Sequence, residues 1–260
     1  MIYGGDYGQD SQYLIGGYGD DKIFSGSDNQ GDYVTIYGDQ NSSVIPNDHP
    51  SDDIFDLERG LENDGDDVID FGDNPDLSDG HYGYGMGGND KIIGGIAPYQ
   101  LLQGGDGDDK IWAINPGQSY TGGADYLYGG DGKDIIYGGQ SQAFIFGDFG
   151  EFDISAGLGN IYTPSVEGDD DILYAGAPLQ VVFGGGGDDK IYGFDNPVVS
   201  PFPNFGGLGG LALGEWGDDK IIGSNGIDIL IGDDFTPAIG TGLLLGEFDL
   251  DMFGSVEYGT

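Results

Sequence analysis

The 260-residue sequence has no cysteine, which excludes disulfide frameworks and thiolate metal sites together. Basic residues are nearly missing as well. Seven Lys and Arg stand against 47 Asp and Glu, for a formal net charge of −40. With no basic stripe to displace phosphate counterions, nucleic acid is excluded as a partner, and an anionic membrane surface is excluded for the same reason. No apolar run approaches the roughly 18 residues of a membrane helix, so no membrane span is expected. Histidine is limited to His49 and His81, and neither His-Glu-x-x-His nor Gly-x-Ser-x-Gly occurs. With no such catalytic constellation, the expectation is that the chain is not an enzyme. Helices are not expected either, because no segment keeps the helical period of about 3.6 residues.

What the chain has in abundance is glycine, 55 of 260 residues, about three times the usual share. Ile, Tyr, Phe and Leu are also plentiful, which separates it from a disordered linker. The glycines do not recur at every third residue, so it is not collagen-like. They cluster in a nine-residue unit, clearest at Gly104–Trp112, which reads Gly-Gly-x-Gly-x-Asp-x-apolar-x. Close copies begin at Gly16, Gly129 and Gly184, and worn ones at Gly85 and Gly214. A unit this short cannot be a domain and must be one rung of a stack.

Aligned on the apolar residue, the rungs form two alternating sets. The first centres on Ile2, Ile23, Phe55, Ile92, Ile111, Ile136, Ile172, Ile191, Ile221 and Leu244. The second centres on Leu14, Ile36, Ile69, Leu102, Leu127, Ile145, Val182, Ala212, Leu230 and Met252. The pattern predicts an all-β solenoid with two short strands per coil and about ten coils. At a rung spacing of about 4.8 Å the rod would be about 48 Å long. One domain over residues 1–260 is expected, with insertions at about 39–51, 72–84, 113–121, 149–166, 194–210 and 233–242.

The turns that lead into the first set end in aspartate, whereas most of the opposite turns do not. Asp10, Asp67, Asp125 and Asp228 are the exceptions and are secondary metal candidates. Glycine permits the backbone angles of a tight turn that aims carbonyls into a shared space, and the terminal aspartate adds a carboxylate. One such turn is only a solvated bend. Eight in register stack their oxygens into cages, and an all-oxygen, anionic cage suits Ca²⁺ better than Mg²⁺ or Zn²⁺. Bound cations would also relieve the self-repulsion of so acidic a chain.

This repeat resembles the RTX, or haemolysin-type, calcium-binding nonapeptide repeat. The resemblance implies a right-handed parallel β-roll with several Ca²⁺ ions held between consecutive turns, folding outside the cell. Carried over residue by residue, it implies carboxylate ligands at Asp21, Asp53, Asp90, Asp109, Asp134, Asp170, Asp189 and Asp219. It implies carbonyl ligands at Gly17, Gly19, Gly105, Gly107, Gly130, Gly132, Gly185 and Gly187.

Neighbours of an inward strand residue point outward. On the first set, Lys22, Lys91, Lys110, Lys190 and Lys220 share one rung position. Such a column either is solvated or meets a neighbouring acidic surface. On the second set, Tyr126, Tyr128, Phe144, Phe146, Val181, Phe183, Leu211, Leu213, Ile229 and Ile231 form an apolar stripe, a candidate self-association surface. Met1–Gly5 shows neither the basic region nor the apolar core of a secretory signal, and neither end reads as a polar cap. Two functions are therefore expected. One is an extracellular or cell-surface structural protein, whose partner is itself, in a fibre, sheath or surface layer. The other is the calcium-binding folding module of an exported enzyme, toxin or adhesin.

Overall fold

A computed structural model describes residues 1–4, 12–25, 33–39, 64–72, 80–114, 123–148, 151–152, 162–163, 168–177, 180–193, 208–223 and 227–233. Its regular elements are all strands, alternating along the chain between two sheets. The first sheet stacks β1 (Ile2–Tyr3), β3 (Lys22–Phe24), β5 (Val68–Asp70), β7 (Lys91–Ile93), β9 (Lys110–Trp112), β11 (Ile135–Tyr137), β15 (Ile172–Tyr174), β17 (Lys190–Tyr192) and β19 (Lys220–Ile222). The second stacks β2 (Gln12–Ile15), β4 (Tyr33–Tyr37), β6 (Gly80–Gly87), β8 (Tyr99–Asp106), β10 (Ala124–Asp131), β12 (Gln142–Phe146), β16 (Val181–Gly186), β18 (Leu208–Trp216) and β20 (Ile227–Asp233). Neighbours within both sheets run parallel. This is the parallel β-roll expected from the repeat. Among the described residues, β13 (Glu151–Phe152) pairs antiparallel with β14 (Tyr162–Thr163), inside the 149–166 insertion.

Inward side chains of the strands fill the space between the sheets. Ile23, Ile69, Ile92, Ile111, Ile136, Leu173 and Ile191 face Ile36, Leu102, Leu127, Ile145 and Val182 across a single core. Burying each such side chain contributes about 1.5–3 kcal/mol, which short isolated strands could not obtain.

The rungs differ from the sequence expectation in three places. Ile69 belongs to the first sheet, between Ile23 and Ile92. The corresponding rung of the second sheet is Gly83, in register with Ile36 and Leu102. Gly83 has no side chain, and the fully buried ring of Phe71, at the corner after β5, fills the space: a β-carbon on Gly83 would lie 2.9 Å from it. The apolar periodicity therefore skips this strand, and the expected 72–84 insertion contains the start of β6. In the third place Leu173, not Ile172, is the core residue, because it pairs with Ile136 and Ile191. The first sheet thus has nine strands and the second nine among the described residues, against the ten expected. Phe55, Leu244 and Met252 lie outside them. The expected 194–210 insertion likewise ends inside β18, which begins at Leu208.

Candidate metal centre

Each passage from the second sheet to the first is a glycine turn ending in aspartate. Gly17, Gly19, Gly105, Gly107, Gly130, Gly132, Gly185 and Gly187 all have positive φ, from 85° to 131°. That backbone is the one expected where carbonyls are turned towards the edge. The closing aspartates form a ladder. The main-chain N–H of Asp21 donates to Asp67 Oδ1, Asp67 to Asp90, Asp90 to Asp109, Asp109 to Asp134, Asp134 to Asp171, Asp171 to Asp189 and Asp189 to Asp219, at 2.6–3.0 Å.

The other carboxylate oxygen has no protein partner. Oδ2 of Asp67, Asp90, Asp109, Asp134, Asp171 and Asp189 is buried and unbonded. Each points at the first glycine of its own turn, where the glycine carbonyl of the next coil also arrives. A β-carbon on Gly104 would fall onto Asp109 Oδ2 and lie 2.7 Å from Gly129 O, and Gly38 is crowded in the same way by Asp67 Oδ2 and Gly85 O. An unpaired buried carboxylate is costly. Accordingly, burial and then the neighbouring carboxylate push Asp90 and Asp134 up to about 9 and Asp171 to about 10. Burial drives Asp109 and Asp189 to about 8 and Asp67 to about 7. Among the described residues no three His, Cys, Asp or Glu side chains gather at one point. A cation here would draw most of its ligands from the main chain. Bare anionic oxygens beside converging carbonyls, all hard donors, fit Ca²⁺.

A second column lies outside the first. Here the hydrogen bonds run the other way, from Asp66 N–H to Asp20, Asn89 to Asp66, Asp108 to Asn89, Lys133 to Asp108, Asp188 to Asp170 and Asp218 to Asp188, at 2.8–3.2 Å. Asp170 belongs to this exposed column and pairs with Lys133 at 2.6 Å. The buried place expected for Asp170 is taken by Asp171.

The RTX calcium-binding nonapeptide repeat family, in four copies, matches residues 13–29, 101–113, 121–151, 180–196 and 213–234. The chain carries RTX calcium-binding repeats. The matched segments hold the turns that close with Asp21, Asp109, Asp134, Asp189 and Asp219, and such repeats bind Ca²⁺ at several sites. No curated protein and no solved structure gives a significant match to the chain.

Asp39, Asp148 and Glu215 occupy the second position of the RTX turn, where Gly105, Gly130 and Gly185 stand in regular copies. Asp39 and Asp148 are buried where residues 40–63 and 149–167 interrupt the turn. Asp39 Oδ2 accepts the Gly65 N–H at 2.8 Å. Asp148 accepts the N–H of Asp169 at 3.4 Å and of Gly186 at 2.6 Å. These two carboxylates pin the chain where it re-enters the roll. The sequence signal was available, as an acidic residue directly after the first glycine of an over-long turn.

The opposite edge is closed by amides. Gln180 donates to the carbonyls of Gly138 and Ser141 and accepts from Gly176 N–H, at 2.7–2.8 Å. Gln100 accepts from Gly95 N–H and donates to Ala113 O and Asp125 Oδ1, at 2.9–3.2 Å. Asp125, a secondary metal candidate, is thus held by a glutamine in the protein interior. Asp67 lies on the aspartate-ladder edge rather than the opposite one. Asp10, Asp53 and the Asp228 side chain lie outside the described residues.

The apolar stripe on the second sheet is not an open surface. Tyr128, Phe146 and Leu213 are buried, and Tyr126, Phe144, Val181, Phe183 and Leu211 are half-buried. Part of the cover is their own stacking: Tyr126 on Phe144 at 5.2 Å, Tyr128 on Phe146 at 4.6 Å and Phe146 on Phe183 at 5.0 Å. The side chains of Ile229 and Ile231 lie outside the described residues. No helix among the described residues is long and apolar enough to cross a membrane.

Proposed function

We propose that the chain is an extracellular structural protein, a calcium-hardened RTX roll that associates laterally with copies of itself into a fibre, sheath or surface layer. Calcium supplies the hardness, since without it the buried aspartate ladder must take up protons or hold uncompensated charge. The observation that carries self-association is a pair of matched stripes on the open face and edge of the first sheet. Lys22, Lys91, Lys110 and Lys190 are exposed at one register position. Asp20, Asp66, Asp108, Asp170, Asp188 and Asp218 are exposed on the adjoining edge, in a column where Asn89 and Lys133 take the places between Asp66, Asp108 and Asp170. Both stripes are spaced at multiples of the strand spacing of about 4.8 Å, the lysine column being interrupted by Val68, Ile135 and Ile172, so one roll's ammonium groups meet another's carboxylates at shared rungs. Opposed surface charges of this kind set register and orientation. The Lys133–Asp170 contact is the same pairing made within one chain.

The test is electron microscopy and sedimentation at millimolar Ca²⁺, in low and high salt. Ordered assemblies that dissolve in high salt and are lost in a Lys110→Glu/Lys190→Glu double variant are expected. Isolated monomers at high protein concentration would sink the assembly reading and favour the folding-module reading.

A further inference from the structure

Glu215 sits in a turn that should have no use for it. Asp39 and Asp148 share its position and receive the main chain returning from an insertion, but the turn Gly214–Asp219 has the regular length. Glu215 is held at φ 82°, a left-handed backbone that costs a side-chain-bearing residue about 1–2 kcal/mol. It is only 5 % exposed, and its Oε2 has no protein partner. Its register neighbours are Gly185 and Asp233. It lies in the field of Asp189, Asp219 and Asp148. The Gly214 carbonyl, on the peptide leading into Glu215, converges with the unbonded Asp189 Oδ2 on the place where Gly184 lacks a β-carbon.

A buried glutamate oxygen without a protein partner, in the field of the Asp189 carboxylate with its equally unbonded Oδ2, is explained by a cation shared by the two. We propose that Glu215 is an additional calcium ligand, adding a second carboxylate to the site formed by Asp189 Oδ2 and the Gly214 carbonyl. This rests on the RTX reading of the turns and assigns to this chain a ligand that the repeat itself does not supply, since the repeat has glycine there. A doubly anionic site in a shared cage binds Ca²⁺ more tightly than its singly anionic neighbours, and it would load first as calcium rises.

Terbium serves as the probe, because it occupies calcium sites and is sensitised by a nearby indole. Trp216 is the adjacent residue and is 36 % exposed. Wild type, Glu215→Gln and Glu215→Gly are titrated with Tb³⁺ and, by calorimetry, with Ca²⁺. Glycine restores the repeat and removes the backbone strain, so a folding defect cannot explain its result. The expected outcome is that both variants lose the tightest binding phase by about tenfold, with reduced Trp216-sensitised emission. If both bind as wild type does, or if Glu215→Gly is stabilised with unchanged calcium affinity, the assignment is overturned. If wild type binds neither ion, it is the RTX reading itself that fails.

Discussion

At the scale of the residue, each closing aspartate divides its two oxygens between two tasks. In Asp67, Asp90, Asp109, Asp134, Asp171 and Asp189, Oδ1 fastens the coil before it and Oδ2 is buried without a protein partner. That division makes register testable in the run Asp169-Asp170-Asp171. Asp171→Asn keeps the Oδ1 acceptor for Asp134 N–H but removes the buried anion, and should raise the calcium concentration for half-folding by about tenfold. Asp170→Asn, in the exposed column, should leave it nearly unchanged. Calcium titrations followed by far-UV circular dichroism separate the two, and the reverse ranking would restore the register read from sequence. That reading placed Asp170 in the cage because Asp170-x-Ile172 and Asp171-x-Leu173 fit the repeat equally well. Only pairing with Ile136 and Ile191 distinguishes them.

At the scale of the element, the two edges of the roll do opposite chemistry. One stacks buried carboxylates whose second oxygens have no protein partner. The other satisfies its carbonyls with the amides of Gln100 and Gln180, which need no ion. Gln180→Ala should therefore destabilise the calcium-loaded roll by about 2–3 kcal/mol, the cost of stranding buried carbonyls, in urea melts at saturating calcium. Calcium affinity should not change. A shifted affinity would mean that the amide edge and the aspartate edge are coupled. Neither glutamine stands out in sequence, since an interior amide reads like a solvated one until the opposing carbonyls are placed. Gly83 was illegible for a related reason. Its partner is the Phe71 ring from another corner, and no periodicity within β6 reports a space that a distant side chain fills.

At the scale of the whole molecule, the net charge of −40 and the buried ladder together set how the fold depends on pH and calcium. Burial raises Asp109 and Asp189 to about 8, and burial with the adjacent carboxylate raises Asp90 to about 9. An unfolded aspartate titrates near about 4. The metal-free folded state therefore binds more protons than the unfolded one between those values. Its stability is fully present at low pH, falls as pH rises above about 4, and is lost through about pH 8–9. In EGTA the chain should gain β structure as pH is lowered from 8 towards 4. With calcium, the carboxylates are matched by cations and the roll should be folded at pH 7–8. Circular dichroism with and without EGTA across this range checks both statements. A chain equally folded at pH 8 in either condition would refute calcium-dependent folding.

By itself the sequence determined the nine-residue unit, the two alternating strand sets, the choice of calcium and the edge that carries the glycine–aspartate turns. Glycine and aspartate at fixed spacing dictate local turn geometry, and stacking only repeats it. Tertiary structure decided what depends on contacts between coils. It set the partner of each rung, moving Ile69 to the first sheet and Asp171 into the ladder. It closed half of the Tyr128–Phe146 stripe through rings that lie on one another. It also placed Glu215 among carboxylates contributed by other turns. Burial and register arise from residues far apart in the chain, so no nine-residue window contains them.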